Sequence, residues 1–149
     1  MDAARLQQRA RDEHLANVLF LPRRPMSEIS SVLAAAEVLL VHLRDDPLFA
    51  ITLPSKTQAY LAAGRPILMA VRGDAARLVE AVDAGIACEP ENAESIAAIV
   101  QRFLSMTPAA REAMGRRGSI YYNSELSMKT GSRRFERVFF DVTTSPERN

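Results

Sequence analysis

Short apolar runs return along this chain, and a helix-forming stretch follows each of them. The runs are residues 17–21 (NVLFL), 37–42 (EVLLVH), 66–71 (PILMAV) and 85–88 (GIAC). A run this short, with no polar alternation, reads as a strand buried on both faces. Strands that alternate with helices build a parallel sheet covered by helices on both sides. The pattern therefore predicts one α/β domain over residues 1–149, with a Rossmann-like parallel sheet of about four strands. No internal repeat, low-complexity segment or linker divides it.

The punctuation agrees with this layout. Residues 3–15 read as a polar amphipathic helix. Pro22 stops the first run, and Ser27 is the expected N-cap of a helix over 27–36, with Pro25 just before it. Pro54 is expected at the first position of a helix over 54–63, where a missing N–H costs nothing. Gly64 suits the left-handed residue that ends it. Helices are further expected over 73–82, from a cap at Asn92 to residue 104, and over 108–142 with a break near 122–127. Residues 143–149 are expected to be a frayed tail.

Composition removes several function classes. The 19 Lys+Arg against 18 Asp+Glu leave a net charge of +1, so no basic surplus points to nucleic acid. The one cysteine, Cys88, permits no intrachain disulfide and no cysteine zinc cage, and the two histidines do not make a His-rich metal site. A cytoplasmic setting follows most simply from this cysteine usage. The charged N-terminus has no apolar core of a secretory signal. Neither a P-loop nor the dinucleotide-binding glycine pattern is present.

Open parallel sheets bind ligands at the carboxyl ends of their strands. The long loop 43–53 leaves such an end and leads into the helix at Pro54. A helix N-terminus offers free N–H groups and a positive dipole end, which suit a phosphate. Thr52, Leu53, Ser55 and Lys56 meet there, with a hydroxyl and a full positive charge. The plainer reading is that Thr52 and Ser55 cap the helix and Lys56 is solvated. Gly73 and Asp74 repeat the geometry after residues 66–71, with Asp74 most simply an N-cap. Asp45 and Asp46 could serve acid–base work or a metal, but turn chemistry explains them. Cys88 reads as a small core residue. The arginines at 116, 117, 133, 134 and 137 read as solvated helix faces, or as contacts for anionic partners such as membrane headgroups.

The stretch 54–68 (PSKTQAYLAAGRPIL) resembles the signature helix and following strand of group 1 glycosyltransferases, the retaining family 4 enzymes of the two-lobed GT-B fold. Residues 18–22 (VLFLP), 25–40, 73–80 (GDAARLVE) and 84–91 (AGIACEPE) are similar to that family's neighbouring segments in order and spacing. The likeness spans residues 5–142. Residues 51–64 (ITLPSKTQAYLAAG) further resemble the fucosamine-type transferases of cell-surface polysaccharide synthesis, including lipopolysaccharide O-antigen.

The resemblance implies the C-terminal, donor-binding lobe of a bacterial enzyme that moves a sugar from a nucleoside-diphosphate sugar to a glycan or lipid-linked acceptor. It implies a base resting on Leu21 and Pro22, and a diphosphate over Leu53, Ser55 and Lys56 with Thr52 beside them. Gln58, Gly73 and Asp74 become candidate ribose or sugar contacts. No cofactor and no metal are implied. Implied partners are the nucleotide sugar, an N-terminal acceptor lobe of roughly 200 residues, a second copy of the chain, and the inner face of the bacterial inner membrane. The family's glutamate pair is not matched, since Ile51 and Ala59 occupy the equivalent positions.

In the doubly wound order 3-2-1-4-5-6, the four runs correspond to strands 3 to 6, so the edge of 37–42 lacks its neighbour. The expected remedies are direct pairing of 17–21 beside 37–42, which is preferred, or a second copy docked across that edge. Two other readings stand beside the enzyme. One is a non-catalytic nucleotide-binding or interaction module. The other is a small receiver-type signalling domain, which Pro22-Arg23-Arg24 and Arg72-Gly73-Asp74 fit poorly.

Overall fold

The computed structural model describes residues 3–144. Three strands form one parallel sheet in the order β1-β2-β3: β1 (Leu39–His42), β2 (Ile67–Ala70) and β3 (Gly85–Ala87). Leu39 pairs with Ile67 in the first ladder and Ile67 with Gly85 in the second. The helices are α1 (Ala3–Asp12), α2 (Met26–Ala35), α3 (Pro47–Ala50), α4 (Ser55–Ala63), α5 (Asp74–Ala81), α6 (Ala93–Ser105), α7 (Pro108–Tyr121) and α8 (Met128–Thr144). A π-helical turn, Tyr122–Leu126, joins the last two.

Side chains alternate across the sheet and divide the core in two. Val41, Ile67, Met69 and Val71 meet Leu61 of α4 and Ala75, Ala76 and Val79 of α5. Leu68, Ala70 and Ile86 face the other way, toward Phe103 of α6 and Met114 of α7. Helix α7 reaches the first layer as well, through two glycines. A Cβ at Gly115 would stand 2.1 Å from the carbonyl oxygen of Gly64, and one at Gly118 would stand 3.0 Å from a Leu61 methyl. Arg111 of α7 closes the end of α6 by donating to the carbonyls of Phe103 and Met106, at 3.0 and 2.6 Å, and pairs with Glu37 ahead of β1.

Much of the expected punctuation is present. Gly64 takes the left-handed conformation (φ 67°) after α4. Asn92 accepts from the Ser95 N–H and caps α6. The break between α7 and α8 falls where it was expected.

Four expectations need correction. Residues 17–21 form no strand: they make no bridge and lie exposed, Leu19 at 81%. The expected direct pairing of 17–21 beside 37–42 does not form, and a lone apolar run gains nothing from extension where no paired strand accepts its N–H and C=O groups. The sheet therefore has three strands, and the outer edge of β1 stays open, with Leu40 half exposed. Ser27 lies inside α2, whose N-cap is Pro25 without a side-chain bond. Pro54 is itself the N-cap of α4 rather than its first residue. Thr143 and Thr144 belong to α8, so only residues 145–149 of the expected tail lie outside the described residues.

Candidate functional site

The carboxyl ends of β1 and β2 open toward one face, where the loop after His42 folds back. Asp46 accepts from the Leu48 N–H at 2.8 Å, and Pro47 follows it. That cap-and-proline start makes the short helix α3 within the expected loop 43–53. Thr52 Oγ1 donates to the Leu48 carbonyl at 2.6 Å and closes α3. Thr52 does not cap α4, whose N-cap position is Pro54 and which receives no side-chain bond.

A cleft of about 360 Å³ lies between α3, the end of β1 and the start of α4. Leu43, Leu48, Phe49 and Val41 form its apolar wall, and Thr52, Leu53, Pro54, Ser55 and Lys56 form its other side. Helix α4 has no side-chain cap, and Ser55 and Lys56 are exposed at its first turn. The Thr57 N–H donates to the Pro54 carbonyl at 2.9 Å, so the backbone donors that a helix start leaves without an intrahelical partner are here those of Ser55 and Lys56. The cleft thus offers an apolar floor, backbone donors, a hydroxyl and a cation, which is a fitting set for an anion attached to a flat ring system.

Thr52, Leu53, Ser55 and Lys56 line one side of this cleft. Gly73 does not line the cleft; it packs against Ala50 at the end of α3, and its φ of 91° sets the entry to α5. Asp74 is the first residue of α5, not its cap, and pairs with Arg77. Gln58 is half-buried in α4 and does not line the cleft. Leu21 and Pro22 are exposed and are likewise not among the lining residues. Leu43, Leu48 and Phe49 were missed, although the Asp46-Pro47 start of α3 signals the fold-back that brings them there.

A polar net lies beside the cleft. The Glu91 N–H donates to His42 Nε2 at 3.1 Å, and the Glu91 carboxylate accepts from the Asp45 N–H at 2.9 Å. Glu91 has a φ of 56°, so the turn after β3 is held in a left-handed step. Arg72 donates to Asp45 at 3.1 Å and to Glu89 at 3.3 Å. These bonds join the ends of all three strands across long sequence separations, which no local sequence signal displays. Asp45 is therefore a structural acceptor, and no group of three or more metal-ligating side chains occurs among the described residues. Cys88 is half-buried just past β3, and burial pushes its thiol up despite a hydrogen bond with Ser95.

A family model described as "Glycosyl transferases group 1" matches residues 2–120. Among solved structures, the chain is similar to sucrose-phosphate synthase from Thermosynechococcus elongatus, with a TM-score of 0.78 and 17% sequence identity. The match covers 96% of this chain and 35% of that one, so this chain spans about a third of that protein's length. At that identity the likeness shows the fold. No curated protein matches the sequence.

Proposed function

The chain belongs to the group 1 glycosyl transferases, and from that premise we propose that it is the donor-binding part of a retaining glycosyltransferase. Its architecture is that of one lobe of a GT-B enzyme. The observation that carries the proposal is the uncapped N-terminus of α4, with Ser55 and Lys56, on the rim of an apolar cleft at the strand ends.

In this reading the diphosphate of a nucleoside-diphosphate sugar rests on the first-turn N–H groups of α4, and Lys56 faces its charge. The diphosphate is the leaving group. Donors already aimed at it stabilise the charge that grows as the sugar bond breaks. Gly73 serves the site indirectly, by letting the β2 loop pack against Ala50 and so hold α3 over the cleft. Leu21 and Pro22 hold the base in the family likeness; that role requires residues 17–22 to move toward the cleft when the donor binds. Catalysis needs a second lobe to close over the site and exclude water. The acceptor is a glycan or lipid-linked sugar of a bacterial cell-surface polysaccharide, in keeping with the fucosamine-type resemblance of residues 51–64. The open β1 edge would take a second copy of the chain as a paired strand.

Calorimetric titration with uridine and guanosine diphosphates, their monophosphates and their nucleosides tests the proposal. Saturable binding of a diphosphate, weaker for the monophosphate and weaker again for the nucleoside, is the expected order. Equal affinity for all three overturns the anion site.

A further inference from the structure

Helix α3 is a single turn that buries none of its residues, and a helix that short does not hold itself. The β1 ladder ends at Leu43, whose N–H donates to the Ala70 carbonyl at 3.3 Å. Residues 44–52 then leave the sheet, carry α3 and return at Leu53, which packs on the core. The far end of α3 is fastened at Ala50, against the backbone of Gly73. The near end is fastened at Asp45. Its N–H donates to Glu91 Oε2 at 2.9 Å, and its carboxylate accepts from Arg72 Nε at 3.1 Å. The next residue, Asp46, caps α3.

Glu91 is an unusual residue for its own position. Its φ of 56° is a left-handed conformation, which glycine and asparagine adopt at lower cost than a long side chain does. The turn around it is otherwise firmly built. Asn92 accepts from the Ser95 N–H at 2.9 Å, the Ser95 hydroxyl accepts from the Glu89 N–H at 3.3 Å, and the Glu91 N–H donates to His42 Nε2 at 3.1 Å. None of these bonds uses the Glu91 carboxylate. Glycine would serve the turn better; what glutamate adds is an acceptor that reaches the β1 loop. A costly conformation in a well-determined turn points to a role for the side chain that bears it. We propose that Glu91 is a positioning residue for the cleft. From the turn after β3 it holds the start of the β1 loop, and so sets where α3 and its wall of Leu48 and Phe49 stand over the start of α4. Glu91 does not itself line the cleft; it acts through Asp45. The use of that wall in holding a donor rests on the donor-binding reading, whereas the placing of α3 does not.

The chain has no tryptophan, so Phe49→Trp places a single fluorescent reporter in the wall. In that background, Glu91→Gly and Glu91→Asn relax the left-handed step, and neither side chain can reach the Asp45 N–H. Both should move the emission to the red and raise its quenching by acrylamide. Their melting temperatures should stay near or above that of the Phe49→Trp chain, because the turn itself is relieved. Glu91→Gln keeps an oxygen acceptor at the same reach and should restore the emission. With Phe49 intact, Glu91→Gly should weaken binding of uridine or guanosine diphosphate about fivefold, the scale of one exposed hydrogen bond, and Glu91→Gln should not. Emission unmoved in Glu91→Gly and Glu91→Asn overturns the proposal. So does a shift that Glu91→Gln fails to reverse, or one that comes only with a lower melting temperature, the mark of a plain stability contact. The emission is read without nucleotide. If neither diphosphate binds the unchanged chain, the donor-binding reading falls, and the emission still decides the role of Glu91.

Discussion

Gly73 lies so close to Ala50 that a Cβ there would stand 1.9 Å from the Ala50 carbonyl oxygen. The backbone of the β2 loop and the end of α3 are in direct contact, and the φ of 91° at Gly73 adds a conformation that other residues resist. Gly73→Ala must therefore move α3, strain the loop, or both. A loss of about 2–5 kcal/mol is expected, read from urea unfolding. A variant as stable as the unchanged chain would show that the two backbones do not meet.

Thr57 sits in the first turn of α4, fully buried, and its Oγ1 has no hydrogen-bond partner. A buried hydroxyl without a partner carries its desolvation cost uncompensated. Thr57→Val keeps the shape and removes that group. Stability should rise by about 1 kcal/mol, measured by thermal or urea unfolding. A fall would mean that the hydroxyl is paired in solution.

Lys56 stands exposed on the rim of the cleft. In the proposed site its ammonium meets a diphosphate. Lys56→Ala should weaken nucleoside diphosphate binding by about 1–2 kcal/mol, the scale of a charge-assisted hydrogen bond. The loss should shrink at high ionic strength. Equal calorimetric affinities for the two proteins would remove Lys56 from the site.

Cys88 is the one thiol of the chain, and burial raises it above the ordinary thiol range. The thiolate is the reactive form, so alkylation at neutral pH should run slower than for free cysteine. Stability follows the same sign. The unfolded thiol loses its proton at about pH 8.5, before the folded one does, so folding stability declines as pH rises through that region. Alkylation as fast as free cysteine, followed by mass spectrometry, would contradict the buried setting.

The sequence displayed some of this architecture openly and hid the rest for physical reasons. Residues 66–71 are apolar on both faces, and Gly64 and Asn92 are local stop and start signals, so β2, the end of α4 and the start of α6 could be read directly. Residues 17–21 look the same by composition, but a strand exists only where another strand accepts its backbone, and a single run does not carry that information. The short helix α3 was written in Asp46 and Pro47, within a loop whose length drew attention away from it. In the candidate site, Ser55 and Lys56 were legible because a helix N-terminus is a local feature. The link from His42 to Glu91 joins residues far apart in the chain. The wall of Leu48 and Phe49 depends on how that loop folds back.

The spatial order of the strands repeats their order along the chain. During synthesis each new strand meets a neighbour that has already emerged, and no distant segment has to be awaited before a ladder can close. A ribosome that has released Ala87 has delivered β1, β2 and β3, yet α6 and α7 are still to come. Until Phe103 and Met114 arrive, Leu68, Ala70 and Ile86 have no cover. The nascent domain therefore passes through a stage with one oily face open, and that interval is when a chaperone has something to hold.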